Sequence, residues 1–387
     1  MKINDMKKVA LIITILLSQV SFSQSYDEQM SKAGQALQKK DFCNALEIFK
    51  SAFVDSTKIG TYDLAYGAVA AINCKSEKLA LNWLIISQKK GLGSNQGEVD
   101  FISVDTSFVK LHSYPEWIKL MADMKNAAIQ KEELKKIRVN DWESKIKSNS
   151  INITKNKKFA TPNTGFALYY SKVDNLEVPY LVYVPKNYNP LKPTQTILYL
   201  HGGIINTENF DFKNPDIEEG EPIFSIGNTY NAIIIYPFGK KDFGWVNQLK
   251  AFTNVLTIIK KVQKTYNIDK KRIFIGGMSN GGTATFWFAS KKENIFKGFY
   301  AFAAMPKLEI EPINFENISK GKPFYSVNSK EDDVFKYDEV FKIYNEQKVV
   351  AKDWNFDTLD KGGHGFIYDP NNGKEIMNNL FKKLLSN

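Results

Sequence analysis

Three observations on this 387-residue chain predict an α/β architecture preceded by a small all-α domain. Beyond residue 160 lie eight short apolar runs rich in β-branched and aromatic residues: GFALYYSK, EVPYLVYVPKNY, QTILYLHGG, NAIIIYPFG, RIFIGGMS, GFYAFAAMP, PFYSVNS and DWNFDTLD. Helical segments separate several of them. In 249–266, Leu249, Phe252, Leu256, Ile259, Val262 and Tyr266 step by three or four along one face. Before residue 130 the periodicity is helical throughout. Strands that are apolar on both faces and alternate with amphipathic helices build a mostly parallel sheet covered on both sides. The first two runs have no helix between them and are expected to pair as an antiparallel hairpin at one edge. The expected layout is an export signal over 1–23, a helical domain over 24–130, a linker over 131–160 and the eight-stranded α/β domain over 161–387.

The opening segment MKINDMKKVALIITILLSQVSFSQ has Lys2, Lys7 and Lys8, then an apolar core from Val9 to Leu17, then small residues around Ser21 and Ser23. That layout predicts a secretory signal cleaved after Ser23, with the mature chain exported to a bacterial periplasm or secreted. The apolar run is short for a membrane span, and no cysteine stands at the cleavage point to take a lipid. No stable membrane insertion is expected after cleavage. Removing three lysines and one aspartate lowers the net charge from +10 to +8. The remaining basic residues are scattered, with no aromatic-interleaved patch, so nucleic acid is not an expected partner.

In DFCNALEIFKSAF, Ala45, Phe49 and Ala52 fall at spacings of four and three; Ala80, Leu84 and Ser87 repeat them thirty-five residues later. The pattern resembles the second helix of a tetratricopeptide repeat, which implies stacked helix pairs and a face for a protein partner. Polar, Lys- and Asn-rich text with a helical start and a looser end fills 131–160 and reads as a connector. The two cysteines, Cys43 and Cys74, fit either a bridge, which export permits, or two small buried residues. Three histidines and no cysteine-rich spacing suggest no metal and no cofactor.

The chemistry centres on Gly277-Met278-Ser279-Asn280-Gly281. A G-x-S-x-G between a strand (Ile273, Phe274, Ile275) and a helix (TATFWFASKK) is used for a sharp turn that lifts a serine hydroxyl into a cleft. A serine needs a base. His112 lies in the helical domain and His201 ends a strand upstream, where it reads as a brace. His364, in DKGGHGFIYDP before the C-terminal helix, is the candidate base. The base needs an acid to fix its tautomer, and the loop after PFYSVNS offers Glu331, Asp332 and Asp333. Asp332 is the first choice, with Asp333 its rival. For the oxyanion, the candidate donors are the N–H of Asn280 and of Gly203, with Ile204 next to it. The stretch 204–230 is long enough to roof the cleft, with Trp245 as a candidate for its opposite wall.

Taken together, YNIDKKRIFIGGMSNGG, VPYLVYVPKNYNP with LYLHGG, NSKEDDVF and GGHGF resemble the α/β-hydrolase superfamily over roughly 165–387. They are similar to exported bacterial esterases of the carboxylesterase/phospholipase, polyhydroxybutyrate-depolymerase-like and feruloyl-esterase-like types. The resemblance implies Ser279 as nucleophile, Asp332 as acid and His364 as base. This chain has Asn328-Ser329 where the family often carries His-Gly before the acid. The expected function is hydrolysis of carboxylic esters, small or polysaccharide-linked, through an acyl-enzyme. A prolyl-oligopeptidase-like peptidase would use the same three residues, although 26–160 is too short and too helical for the β-propeller typical of those enzymes. An inactive hydrolase scaffold with a binding role for the helices is the alternative of a different class.

Overall fold

The computed structural model describes residues 25–150, 164–291, 294–319 and 321–386. The export signal, its cleavage point and the 151–160 part of the expected linker lie outside them. Among the described residues, no helix is long and apolar enough to cross a membrane. The chain divides into two compact units, up to Ile137 and from Arg138.

Helices α1 (Tyr26–Gln38), α2 (Phe42–Ala52), α3 (Thr61–Asn73), α4 (Glu77–Lys89), α5 (Gln96–Val104) and the start of α6 (Pro115–Ser148) form the first unit. The faces read from sequence are the buried ones: Ala45, Phe49 and Ala52 on α2, and Ala80, Leu84 and Ser87 on α4. Small residues let these helices approach closely. A Cβ on Gly67 of α3 would come within 2.9 Å of Phe53 and 3.0 Å of Trp83. Side chains close exposed helix starts, as where Asn95 accepts from the N–H of Glu98 at 2.9 Å. Cys43 and Cys74 form a disulfide that ties the start of α2 to the end of α3.

The helical start expected of the 131–160 connector runs to Ser148, where the unbroken α6 ends. Its last turns belong to the second unit for an apolar reason: Trp142 and Ile146 are buried there. Trp142 packs edge-on against Phe166 and donates its Nε1–H to the Phe212 carbonyl at 2.8 Å.

Eight strands follow: β1 (Gly165–Val173), β2 (Leu176–Val184), β3 (Thr194–Leu200), β4 (Ile233–Pro237), β5 (Ile268–Met278), β6 (Gly298–Phe302), β7 (Phe324–Ser329) and β8 (Trp354–Leu359). Their order in one sheet is β1-β2-β4-β3-β5-β6-β7-β8. β2 runs antiparallel to β1 and β4, and the remaining pairs are parallel. Continuous burial, as in Ile233 to Pro237, reflects cover on both faces. One face packs α8 (Leu249–Thr265) and α9 (Asn280–Ser290) through Phe252, Ile259, Phe286 and Phe288. The other packs α7 (Ile223–Thr229) and α11 (Gly373–Leu385) through Phe224, Met377 and Phe381. α10 (Tyr337–Gln347) joins β7 to β8. The strand order, the antiparallel β2 and the β5-turn-α9 corner make this an α/β-hydrolase-like fold.

Candidate active site

Ser279 occupies the turn between β5 and α9 in a conformation that L-residues avoid, φ +53°. Such a backbone costs ~1–3 kcal/mol and survives only where its surroundings dictate it. The neighbouring strand does so. A Cβ on Gly277 would lie 2.1 Å from the Leu200 carbonyl oxygen, and one on Gly281 would lie 1.8 Å from it. Only hydrogen fits at either position, so the two glycines let the corner close against β3. The Ser279 N–H donates to the Phe302 carbonyl at 2.9 Å, fixing the turn to β6 as well.

The loop after β8 brings His364 over this corner, with Gly362 and Gly363 at φ +118° and +59° before it. The Ser279 hydroxyl and His364 Nε2 are 2.9 Å apart. On the far side of the ring, Nδ1 lies 2.8 Å from Asp332 Oδ2 and 3.0 Å from Oδ1. An ionised carboxylate only accepts, so Nδ1 carries the proton and Nε2 is left to accept from the serine. The Asp332 side chain is fully buried, and its Oδ1 also accepts from the N–H groups of Val334 and Phe335 at 2.9 and 2.8 Å. Burial is sustained by these bonds. Asp333, the rival, is exposed. Glu331 accepts from the Gly362 N–H at 3.0 Å and so braces the histidine loop, a role that local sequence does not distinguish from surface charge.

Gly203 stands at φ +72° on the loop after β3. The next N–H, of Ile204, is engaged: it donates to the Asn280 side-chain oxygen at 3.2 Å. Asn280 itself is the first residue of α9, where backbone N–H groups have no carbonyl one turn behind them. Gly203 and Asn280 thus lie on the two segments that this bond joins, and Ile204 fastens the loop.

His201 accepts the Gly239 N–H on Nε2 at 3.0 Å and donates from Nδ1 to the Gly202 carbonyl at 2.7 Å. Both ring nitrogens are occupied, and burial pushes the imidazole down to about 4. It is a neutral brace. Trp245 is not a cleft wall: it is 2% exposed, packs edge-on against His201 and donates to the His201 carbonyl. Much of 204–230 is likewise core, with Ile204, Ile217, Ile223, Phe224 and Ile226 buried. His112 stacks on Trp117 within the first unit.

Sequence reading missed Glu221. Its Oε1 accepts from Tyr236 at 2.9 Å and its Oε2 from Tyr368 at 3.3 Å, and burial pushes the carboxyl up to about 7. Tyr236 stacks on His201 and Tyr368 follows His364 by four residues, so the cluster sits between both loops of the site. No periodicity signals a lone half-buried carboxylate. Among the described residues, no group of three or more His, Cys, Asp or Glu could hold a metal ion.

Known proteins resemble parts of the chain. Residues 247–310 match the prolyl oligopeptidase family. A bifunctional acetylxylan esterase/xylanase, XynS20E of Neocallimastix patriciarum, is 28% identical over 180 residues, 43% of this chain; the match spans 23% of that relative's length. A thermostable esterase superposes with a TM-score of 0.44 at 19% identity, covering 57% of this chain and 61% of its own. The acylaminoacyl peptidase of Pyrococcus horikoshii gives 0.42 at 18% identity, covering 57% and 42%.

Proposed function

We propose that this protein is a serine hydrolase that cleaves carboxylic esters through an acyl-enzyme intermediate. The observation that carries the reading is the 2.9 Å approach of His364 Nε2 to Ser279 Oγ, with a buried carboxylate on the opposite ring nitrogen. Ser279 attacks the ester carbonyl as His364 takes its proton, and Asp332 stabilises the imidazolium that forms. The oxyanion is met by the N–H groups of Gly203 and Asn280. His364 gives its proton to the leaving alcohol, then activates the water that releases the acid. No metal or organic cofactor is required. The relative's name makes acetyl groups on a xylan-type polysaccharide the first substrates to try.

Peptide cleavage is the second reading, supported by the match of 247–310 to the prolyl oligopeptidase family. Under either reading the chain is exported, and the first unit offers its helices to a protein partner. The test is hydrolysis of acetyl, feruloyl, short-chain and long-chain esters beside proline-containing peptides, by wild type and Ser279→Ala. Loss of turnover and of fluorophosphonate labelling in Ser279→Ala, with an unchanged melting temperature, is expected. Undiminished turnover in that variant rejects the mechanism, and faster peptide cleavage by wild type favours the second reading.

A further inference from the structure

The loop that carries Asp332 turns one more residue towards His364. Asp333 and Val334 face solvent, Val334 with 58% of its surface exposed. Phe335 is half-buried. Its N–H donates to Asp332 Oδ1 at 2.8 Å, and its ring meets the imidazole of His364 edge to face, with centroids 5.3 Å apart and planes at 86°. Main chain and side chain of one residue therefore hold two different members of the hydrogen-bonded row.

The bonds of His364 to Ser279 and Asp332 both lie in the imidazole plane, so any rotation of the ring weakens both together. Hydrogen bonds hold that plane well while all partners are in place. During turnover the serine end is broken, because the hydroxyl becomes an acyl ester and Nε2–H must find the leaving group. At that stage the perpendicular aromatic contact still resists rotation. Of the other charged groups on these two loops, Glu331 accepts from the Gly362 N–H, Lys330 pairs with Asp360 at 2.7 Å, and Asp333, Lys336 and Lys361 are exposed.

We infer that Phe335 is a positioning residue, acting through His364 and Asp332 to keep the imidazole in the plane that serves both Ser279 and the leaving group. This rests on the serine-hydrolase reading. The experiment compares wild type with Phe335→Ala, Phe335→Leu and Phe335→Tyr on 4-nitrophenyl acetate, with Ser279→Ala as blank and the rate of fluorophosphonate labelling as a second readout. Phe335→Ala should lower kcat by about 10- to 100-fold with KM within about twofold, the cost of a misaligned base. Phe335→Tyr, which keeps the ring, should recover kcat to within about threefold. Phe335→Leu fills the site without a planar edge and should recover the melting temperature but not kcat, which keeps the test open if the alanine variant fails to fold. Unchanged kcat in Phe335→Ala, a purely KM effect, or full rescue by leucine overturns the inference and leaves the hydrolase reading intact. A wild type without Ser279-dependent turnover or labelling overturns both.

Discussion

Gly202 and Ser279 touch across the site: a Cβ on Gly202 would stand 2.9 Å from the Ser279 Cβ and 3.2 Å from the Met278 carbonyl oxygen. The glycine at the start of the loop after β3 is thus set by the serine corner. Gly202→Ala should push the two loops apart, lowering kcat at least about 100-fold and costing ~1–3 kcal/mol, the usual penalty of overpacking. Gly203 differs, because nothing lies within 4 Å of its Cβ position, but its φ of +72° disfavours a side chain. Gly203→Ala should cost ~1 kcal/mol with a smaller effect on kcat. Paired kinetics and thermal melts of the two variants check this ranking.

Asn280 fastens the loop after β3 through its side chain. Asn280→Ala leaves the Ile204 N–H without its acceptor. The expected result is a kcat about 10- to 100-fold lower with stability reduced by only ~1 kcal/mol. Equal losses in kcat and stability would point to general unfolding instead.

Two half-buried groups that stack on or bond to Tyr236 push stability in opposite directions with pH. The His201 imidazole is lowered to about 4, so its contribution is complete above its ordinary value of 6.5 and is lost as pH falls through 4. The Glu221 carboxyl is raised to about 7, so its contribution is complete below its ordinary 4.5 and is lost as pH rises through 7. Each contributes up to ~3 kcal/mol. Melting temperature should therefore peak between about pH 5 and 6.5. Glu221→Gln should flatten the alkaline side of that curve and His201→Gln the acidic side. A curve that keeps its shape in both variants would exclude these groups as the cause.

Trp142 closes the start of the second unit. It is 3% exposed and hydrogen-bonded through its indole. Trp142→Ala should destabilise the second unit by ~3–5 kcal/mol, the range for deleting a large buried side chain. A truncated chain beginning at residue 161 should show the same loss. Urea melts followed by far-UV circular dichroism measure both, and an undisturbed transition would mean that the end of α6 is dispensable.

The eight strands, the hairpin at the sheet edge and the serine corner are legible in the chain itself, because each leaves a local mark in it. Burial on both faces imposes continuous apolar runs, and the approach of a carbonyl to 1.8 Å of a would-be Cβ at Gly281 admits nothing but glycine. Side-chain aim obeys no such local rule. Asp332 and Asp333 are adjacent and chemically alike; the turn after β7 alone buries one against His364 and leaves the other in water. The same holds for Trp245, drawn under His201 rather than into the cleft, and for Cys43 and Cys74, which helix packing brings together. Trp142 sits in polar text that gives no hint of the strand awaiting it. Ser279 and His364 are 85 residues apart in the chain, and the sheet closes that gap to 2.9 Å. Periodicity and the spacing of the glycines around Ser279 are local patterns and are written in the sequence. Which polar atoms meet is decided by contacts between distant segments, and those exist only once the core has formed.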